Sequence, residues 1–162
     1  DSATDIDKAA YESKGVKIYT YIPEKDLTDT HIAVYKALEL SPREILIIGA
    51  TGRRMDHTLA NIGMLQLIDK NGVIGTIVDE HNRMSIISHN LVIHKKDTIG
   101  TYISFIPYSN VVTGLSLRGF KYPLHNKTLY LGDSLGVSNE LIEDIGYVDI
   151  KEGYLIKIES WD

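Results

Sequence analysis

Ile45-Leu-Ile-Ile-Gly-Ala-Thr-Gly-Arg-Arg-Met-Asp-His-Thr-Leu-Ala-Asn61 reads as a buried strand, a glycine-bearing and doubly basic turn, and then a helix. A strand that opens onto a helix N-terminus through glycines leaves backbone N–H groups facing outward, where they suit an anion. Arg53 and Arg54 add fixed positive charge at that turn, and Asp56 adds a carboxylate. The combination suits phosphate and a metal ion held side by side. A second acidic stretch, Lys25-Asp-Leu-Thr-Asp29, falls at the matching end of the preceding predicted strand.

Outward from this stretch, helix and strand patterns alternate. A helix over 5–14 ends at Gly15, with Thr4 as N-cap and Asp5 and Asp7 near the positive end of its dipole. Val16 to Tyr21 reads as a strand. A helix over 29–40 sets Ala33, Ala37 and Leu40 on one face. Ile45 to Ile48 is wholly apolar, as expected of a strand covered on both faces. The helix over 56–70 carries Ala60, Met64, Leu67 and Ile68 at helical spacing and closes at Asn71-Gly72. Ile74 to Val78 is a further strand, followed by the polar break Asp79-Glu-His-Asn82. Such alternation predicts an α/β domain, a parallel Rossmann-like sheet with helices on both faces. The chain opens at Asp1-Ser2 in a helix where such a layer begins with a strand, so the layer is expected to be incomplete, with an upstream portion absent.

After Met84 the pattern changes. Ser85–Ser88, Leu91–His94, Thr101–Ile106, Val111–Leu117, Thr128–Leu131, Tyr147–Ile150 and Tyr154–Ile158 are short strand-like runs between Asn, Asp, Gly and Pro. Several alternate in polarity, which predicts a small antiparallel β-sandwich or barrel. The division expected is 1–84 for the α/β part and 85–162 for the β part.

Bulk properties bound the function. The 162 residues are 43% hydrophobic, enough for one domain or two small ones. A net charge of -5 excludes wholesale nucleic-acid binding through a basic face. The chain has no cysteine, which excludes disulfides and thiolate metal sites. Neither a membrane-spanning apolar run nor a signal peptide is present in the sequence. The default expectation is a cytoplasmic enzyme or binding protein.

Ligands of open parallel sheets bind beyond the carboxyl ends of the strands. Three groups map there: Asp1 after the absent strand, Asp26 and Asp29 after the strand ending at Tyr21, and Gly49 to Asp56 after Ile48. Two or three carboxylates beside arginine forks suit a magnesium-bound nucleotide. Each group also has a structural reading. Asp26 and Asp29 sit where caps and turn acids are common, and Arg53 and Arg54 suit a solvated loop. None of the six histidines pairs at zinc-ligand spacing on a helix; His57, beside Asp56 at a helix start, is the one to watch. In the second half, Tyr122 is placed to stack on a flat heteroaromatic ring, with Ser138 and Asn139 as hydrogen-bonding partners for ring nitrogens. The alternative there is a turn with cross-strand tyrosines.

Together these residues resemble thiamin pyrophosphokinase, along essentially the whole chain and in family order. Asp1-Ser2 resembles the end of a Gly-Asp-Phe-Asp-Ser motif, and Pro23 to Asp29 a Lys-Asp-x-Thr-Asp segment. Gly49 to Asn61 resembles a Gly-Gly-Arg-x-Asp-His-Thr-x-Ala-Asn signature, with Arg53 where the family usually has glycine. Thr113-Gly-Leu115, Lys121-Tyr-Pro-Leu124 and Ser134 to Asn139 resemble motifs of its thiamin-binding domain.

The resemblance implies pyrophosphate transfer from ATP, with Mg2+, to thiamin in a homodimer that binds thiamin between subunits. It assigns Asp1, Asp26 and Asp29 to the metal and phosphates, with Thr28 beside them, and Arg54 to phosphate. Asp56 would face thiamin, and Tyr122 and Ser138 its pyrimidine ring. Asp29 or Asp56 is the candidate proton acceptor. Two other readings stay open. One is a nicotinamide-dependent oxidoreductase using Gly49-Ala-Thr-Gly52, with Asp79 on the ribose. The other is a non-catalytic module for a thiamin-like ligand.

Overall fold

Short helices and β-branched runs set out a mixed architecture in the computed structural model, which describes residues 5–22 and 26–161. The helices are α1 (Asp5–Glu12), α2 (Asp29–Leu38) and α3 (Met55–Lys70). The strands are β1 (Glu44–Ile48), β2 (Ile74–Val78), β3 (Asn82–Ile87), β4 (Leu91–His94), β5 (Tyr102–Pro107), β6 (Val111–Arg118), β7 (Leu124–Tyr130), β8 (Ile145–Asp149) and β9 (Leu155–Ser160). One five-stranded sheet has the order β1-β2-β3-β9-β5, and a four-stranded sheet the order β4-β8-β6-β7. Only β1 and β2 pair in parallel among these strands, joined by α3; all other pairs are antiparallel. No helix among the described residues is long and apolar enough to cross a membrane.

The larger core lies between the two sheets. Ile87, Ile103, Phe105 and Leu155 from the first meet Ile93, Val112, Leu115, Leu117, Leu129 and Val148 from the second. A second cluster seats Leu65 of α3 on Ile77, Met84 and Ile86, and a third joins Val34 of α2 to Ile68 and Val73. Glu159, only 1% exposed, ties β9 to β3 and to the turn before β5. Its carboxylate accepts from Arg83 Nη2 at 2.5 Å, Lys157 Nζ at 2.7 Å and the Ile99 N–H at 3.1 Å.

The β half follows the sequence expectation: every strand-like run from Ser85 onward lies in or overlaps a strand. The first half departs from it. Val16 to Tyr21 forms no strand; its residues are mostly exposed, and among the described strands β1 pairs with β2 alone, so none of them rewards extension there. β1 is covered on one face rather than two. Ile45 and Ile47 pack toward α3, while Leu46 and Ile48 are 58% and 75% exposed. α2 buries Val34, with Leu38 and Ala37 partly buried, while Ala33 and Leu40 of the expected face are exposed. The valine–leucine pair offers more apolar area than two alanines, and Leu40 lies past the helix end. α3 is rotated too: its buried residues are Thr58, Asn61, Leu65 and Ile68, and Ala60 is exposed. The helix stop at Asn71-Gly72 forms as expected, with the Gly72 N–H on Asp69 O at 2.8 Å. The expected division at 84/85 falls inside β3. Thr4, Asp1 and Lys25 lie outside the described residues.

Candidate active site

The chain turns back between α2 and β1, and again between α3 and β2, so both helices run opposite to their strands. Val34 and Leu38 of α2 meet Met64, Leu67 and Ile68 from the far end of α3, which aligns the two helices. Both therefore begin on the edge where β1 and β2 end. That edge receives Thr28 and Asp29 from α2, and Arg54 and Asp56 from α3.

The loop that leads from β1 into α3 is shaped by few contacts. Gly49 sits at φ 73, a left-handed conformation that side chains rarely adopt, and it turns the chain off the strand. Ala50 is buried, and its carbonyl accepts from the amide Nδ2 of Asn61 at 2.7 Å. Arg54 is the N-cap of α3 by backbone, without a side-chain cap bond. Its carbonyl accepts from the Thr58 N–H at 3.1 Å and the Thr58 hydroxyl at 3.2 Å. Asp79, at the end of β2, closes the tight turn into β3 by accepting from the His81 N–H at 2.9 Å and Asn82 Nδ2 at 3.0 Å. Burial alone would raise the Asp79 pKa, but bonds from His81, Asn82 and the Thr51 side chain outweigh it and lower the value.

Arg54 and Asp56 grip each other. The guanidinium donates from Nε to Oδ1 at 3.2 Å and from Nη2 to Oδ2 at 2.5 Å, with both side chains well exposed. This fork holds the Asp56 carboxyl at about 2, against an ordinary 3.8; the Arg54 hydrogen bonds are the main cause, and the His57 N–H adds to them. Arg54 is raised by the same pairing. The expected result of a carboxyl NMR titration is an Asp56 midpoint near 2. In Arg54→Met the midpoint returns toward 3.8; an unchanged midpoint would show that Arg54 is not what holds it down.

Thr28 is the N-cap of α2, its hydroxyl oxygen accepting from the His31 N–H at 3.2 Å. Asp29 is the first helical residue, and Asp26 lies exposed just before the cap. Among the described residues no three acidic or imidazole side chains gather to hold a metal; Asp1, the third expected ligand, lies outside them.

Tyr122, Ser138 and Asn139 do come together. The segment from Ser134 to Asn139 runs along β5: Ile103 N–H donates to Asn139 O at 2.7 Å, and Phe105 N–H to Gly136 O at 2.9 Å. Gly136 is needed there because a Cβ would collide with the Phe105 carbonyl oxygen. Ser138 is exposed, held at φ 56, with its N–H on Ser104 Oγ at 3.0 Å. The Tyr122 ring is 54% exposed, with Lys121 Nζ 5.7 Å from its centre.

Asn139 corrects the sequence reading. It is buried, and its Oδ1 accepts from the N–H groups of Tyr122 and Glu140 while Nδ2 donates to Tyr122 O. Its amide is committed to shaping the backbone under Tyr122 and does not face a ligand ring. Asn61 and Thr58 were quoted within the Gly49–Asn61 signature but given no role, because both are polar residues on a helix. The legible signal was an amide at a position whose neighbours one and two turns on, Leu65 and Ile68, face the sheet.

One chain does not join the two groups. Tyr122, Ser138 and Asn139 gather beside β5, whereas Arg54 and Asp56 follow β1, the opposite edge of the same sheet. Four strand steps of about 4.8 Å separate these edges, roughly 19 Å.

Comparison with known proteins bears on both groups. The family model described as "Thiamin pyrophosphokinase, catalytic domain" matches residues 1–74. The one described as "Thiamin pyrophosphokinase, vitamin B1 binding domain" matches residues 88–155. Thiamine pyrophosphokinase of Bacillus subtilis is 39% identical over 162 residues, which is 100% of this chain and 76% of that protein. The crystal structure of the thiamine pyrophosphokinase from Bacillus subtilis superposes with a TM-score of 0.90, covering 100% of this chain and 76% of that chain at 39% identity. The thiamin pyrophosphokinase structure from Geobacillus thermodenitrificans gives a TM-score of 0.84 at 35% identity, covering 98% of this chain and 72% of that one. With both halves matched in order and a relative aligned along the whole of this chain at 39% identity, the chain belongs to the thiamin pyrophosphokinase family.

Proposed function

We propose that this chain transfers a pyrophosphoryl group from magnesium-ATP to the hydroxyethyl oxygen of thiamin, giving thiamin pyrophosphate and AMP. The observation that carries the reading is the shared edge: Thr28 and Asp29 start one helix there, and Arg54 and Asp56 start the next. The finer fold reading follows from it. β1, α3 and β2 form part of a parallel Rossmann-like layer for the nucleotide, and the later strands form a β-sandwich for thiamin, divided near residues 84/85.

The donor set suits magnesium, since Asp26 and Asp29 offer carboxylate oxygens on an exposed approach to a helix. Asp26 and Asp29, with Asp1, would hold the ion, and the chemistry it supplies when bound is neutralisation of phosphate charge. Arg54 binds the polyphosphate by its fork and offsets charge as the β-phosphorus passes from the leaving α-phosphate oxygen to the thiamin oxygen. The Thr28 hydroxyl donates to a phosphate oxygen.

The Arg54–Asp56 pair adds a sequence of events. While paired, Asp56 at about 2 is too weak a base to take a proton from an alcohol. When Arg54 turns to phosphate, Asp56 loses that partner and becomes more basic on the thiamin side. Asp29 is the other candidate for proton acceptor.

On the second half-site, Tyr122 stacks on the pyrimidine ring and Ser138 hydrogen-bonds it, with Asn139 shaping their backbone. The separation of the two groups across the sheet supports a homodimer in which each thiamin lies between subunits. A cytoplasmic setting, where ATP is at hand, fits this reading. Against the nicotinamide alternative, the Asp79 carboxylate already caps its own turn.

Purified protein supplied with thiamin and magnesium-ATP is expected to release AMP in step with thiamin pyrophosphate, and to show no NADPH binding. Thiamin binding without AMP release would leave the non-catalytic module as the better reading.

A further inference from the structure

We infer that Asn61, with Thr58, is a positioning residue: from the buried side of α3 the two hold both ends of the Ala50–Arg54 loop and thereby set where the Arg54 guanidinium stands. The inference rests on the reading of Arg54 as a phosphate ligand.

Three features point to it. Asn61 is buried on the helix face that carries Leu65 and Ile68 into the sheet, where an apolar side chain would pack at no polar penalty. Its Nδ2 instead reaches across to Ala50 O at 2.7 Å, eleven residues back. A buried carbonyl left without its donor is destabilised well beyond the worth of an exposed hydrogen bond, so this bond fixes the first residue after the Gly49 turn. At the other end, Thr58 bonds Arg54 O through both N–H and hydroxyl. Threonine often bonds the carbonyl four residues back, but here that carbonyl belongs to the N-cap, so the bond fixes the residue whose side chain is to meet phosphate.

Between these anchors Thr51, Gly52 and Arg53 belong to no strand or helix, and the Thr51 side chain bonds the Asp79 carboxylate. The loop's ends are therefore set by the two anchors, with the Thr51–Asp79 bond as its one tie toward β2 among the described residues. A phosphate-binding arginine on a loose loop must be ordered on each encounter, which weakens binding before it slows chemistry.

Arg53 and Arg54 make the loop its own reporter, because trypsin cuts after arginine only where the backbone can open. In Asn61→Leu, similar in size but without the donor, cleavage after Arg53 and Arg54 is expected to speed up about tenfold. Cleavage at sites outside the loop should be unchanged. Thr58→Val should show a smaller increase, and Thr58→Ser, which restores the hydroxyl, none. In thiamin-dependent AMP release, KM for ATP should rise severalfold in Asn61→Leu and Thr58→Val while kcat changes less.

Should Asn61→Leu fail to fold, the Thr58→Val and Thr58→Ser pair carries the test alone. Wild-type cleavage rates and wild-type KM in the valine variant would overturn the inference. Accelerated cleavage in a protein whose wild type releases no AMP would leave the loop anchors standing and remove the kinase reading instead.

Discussion

Asp29→Asn is expected to lower thiamin-dependent AMP release on the order of a hundredfold to a thousandfold, with Tm almost unchanged. Charge neutralisation of a reacting phosphate supplies several kcal/mol of transition-state stabilisation, and each 1.36 kcal/mol is about tenfold in rate. Asparagine keeps the size of the side chain but loses the charge that draws a divalent ion. The fold has little at stake, because Asp29 is exposed in the first turn of α2 and the cap itself belongs to Thr28. The charge of an exposed acid at a helix N-terminus contributes only about 0.3–1 kcal/mol to the fold. The check is steady-state kinetics over a magnesium series, beside a thermal melt. Wild-type kcat in the variant would remove Asp29 from the metal site and leave it a first-turn acid.

Glu159→Gln is expected to act on the fold instead, lowering stability by about 3–5 kcal/mol. The glutamate is 1% exposed and faces two cations that are themselves largely covered, Arg83 at 29% and Lys157 at 15%. Neutralising it leaves both charges without their counter-ion in a low-dielectric setting. For a chain of this size the loss corresponds to a fall in Tm of roughly ten degrees or more. Replacing the whole set at once, with Glu159→Leu, Arg83→Met and Lys157→Met, should recover much of it, because apolar packing removes all three desolvation penalties.

The pH arm has a definite sign. Burial raises the Glu159 pKa, but the Lys157 charge and the bonds from Arg83, Lys157 and Ile99 bring it below the ordinary 4.5. A carboxyl depressed in the folded state adds stability above its unfolded value and loses it as pH falls through the folded one. Denaturant melts should therefore show a Glu159-dependent loss of stability below about pH 4.5 that is absent from Glu159→Gln. A variant that melts like wild type at neutral pH would show the trio to be energetically neutral.

The strands of the second half were legible because alternation has a period of two and turn residues punctuate it. Tyr154-Leu-Ile-Lys-Ile158 is the plainest example, although its neighbours in the sheet are far away in sequence. The first half was less legible because its elements depend on neighbours. Val16 to Tyr21 has strand-forming residues and none of the described strands beside it. Leu46 and Ile48 look like core residues and stand exposed on the uncovered face of β1. Asp26 and Asp29 were placed after a strand over 16–21 that does not form, whereas the place of Arg54 and Asp56 after β1 could be read from strand-end logic. Their pairing could not, since two residues apart on a helix start says nothing of whether a guanidinium turns outward to a ligand or back to its own carboxylate. Asn139 is the clearest misreading: beside an exposed tyrosine it looked like a ligand contact, and burial made it a backbone clamp.

β9 lies between β3 and β5, yet it is made from residues 155–160, after all the other described strands. Emerging from the ribosome, the polypeptide must wait for this late piece before the larger sheet can close. Until then Ile87, Ile103 and Phe105 lack Leu155, their companion in the main core. Assembly that depends on such distant pairings is slow and exposes sticky intermediates. A nonsense codon a few positions upstream of Leu155 would therefore undo the interior of the sheet, not merely trim its border.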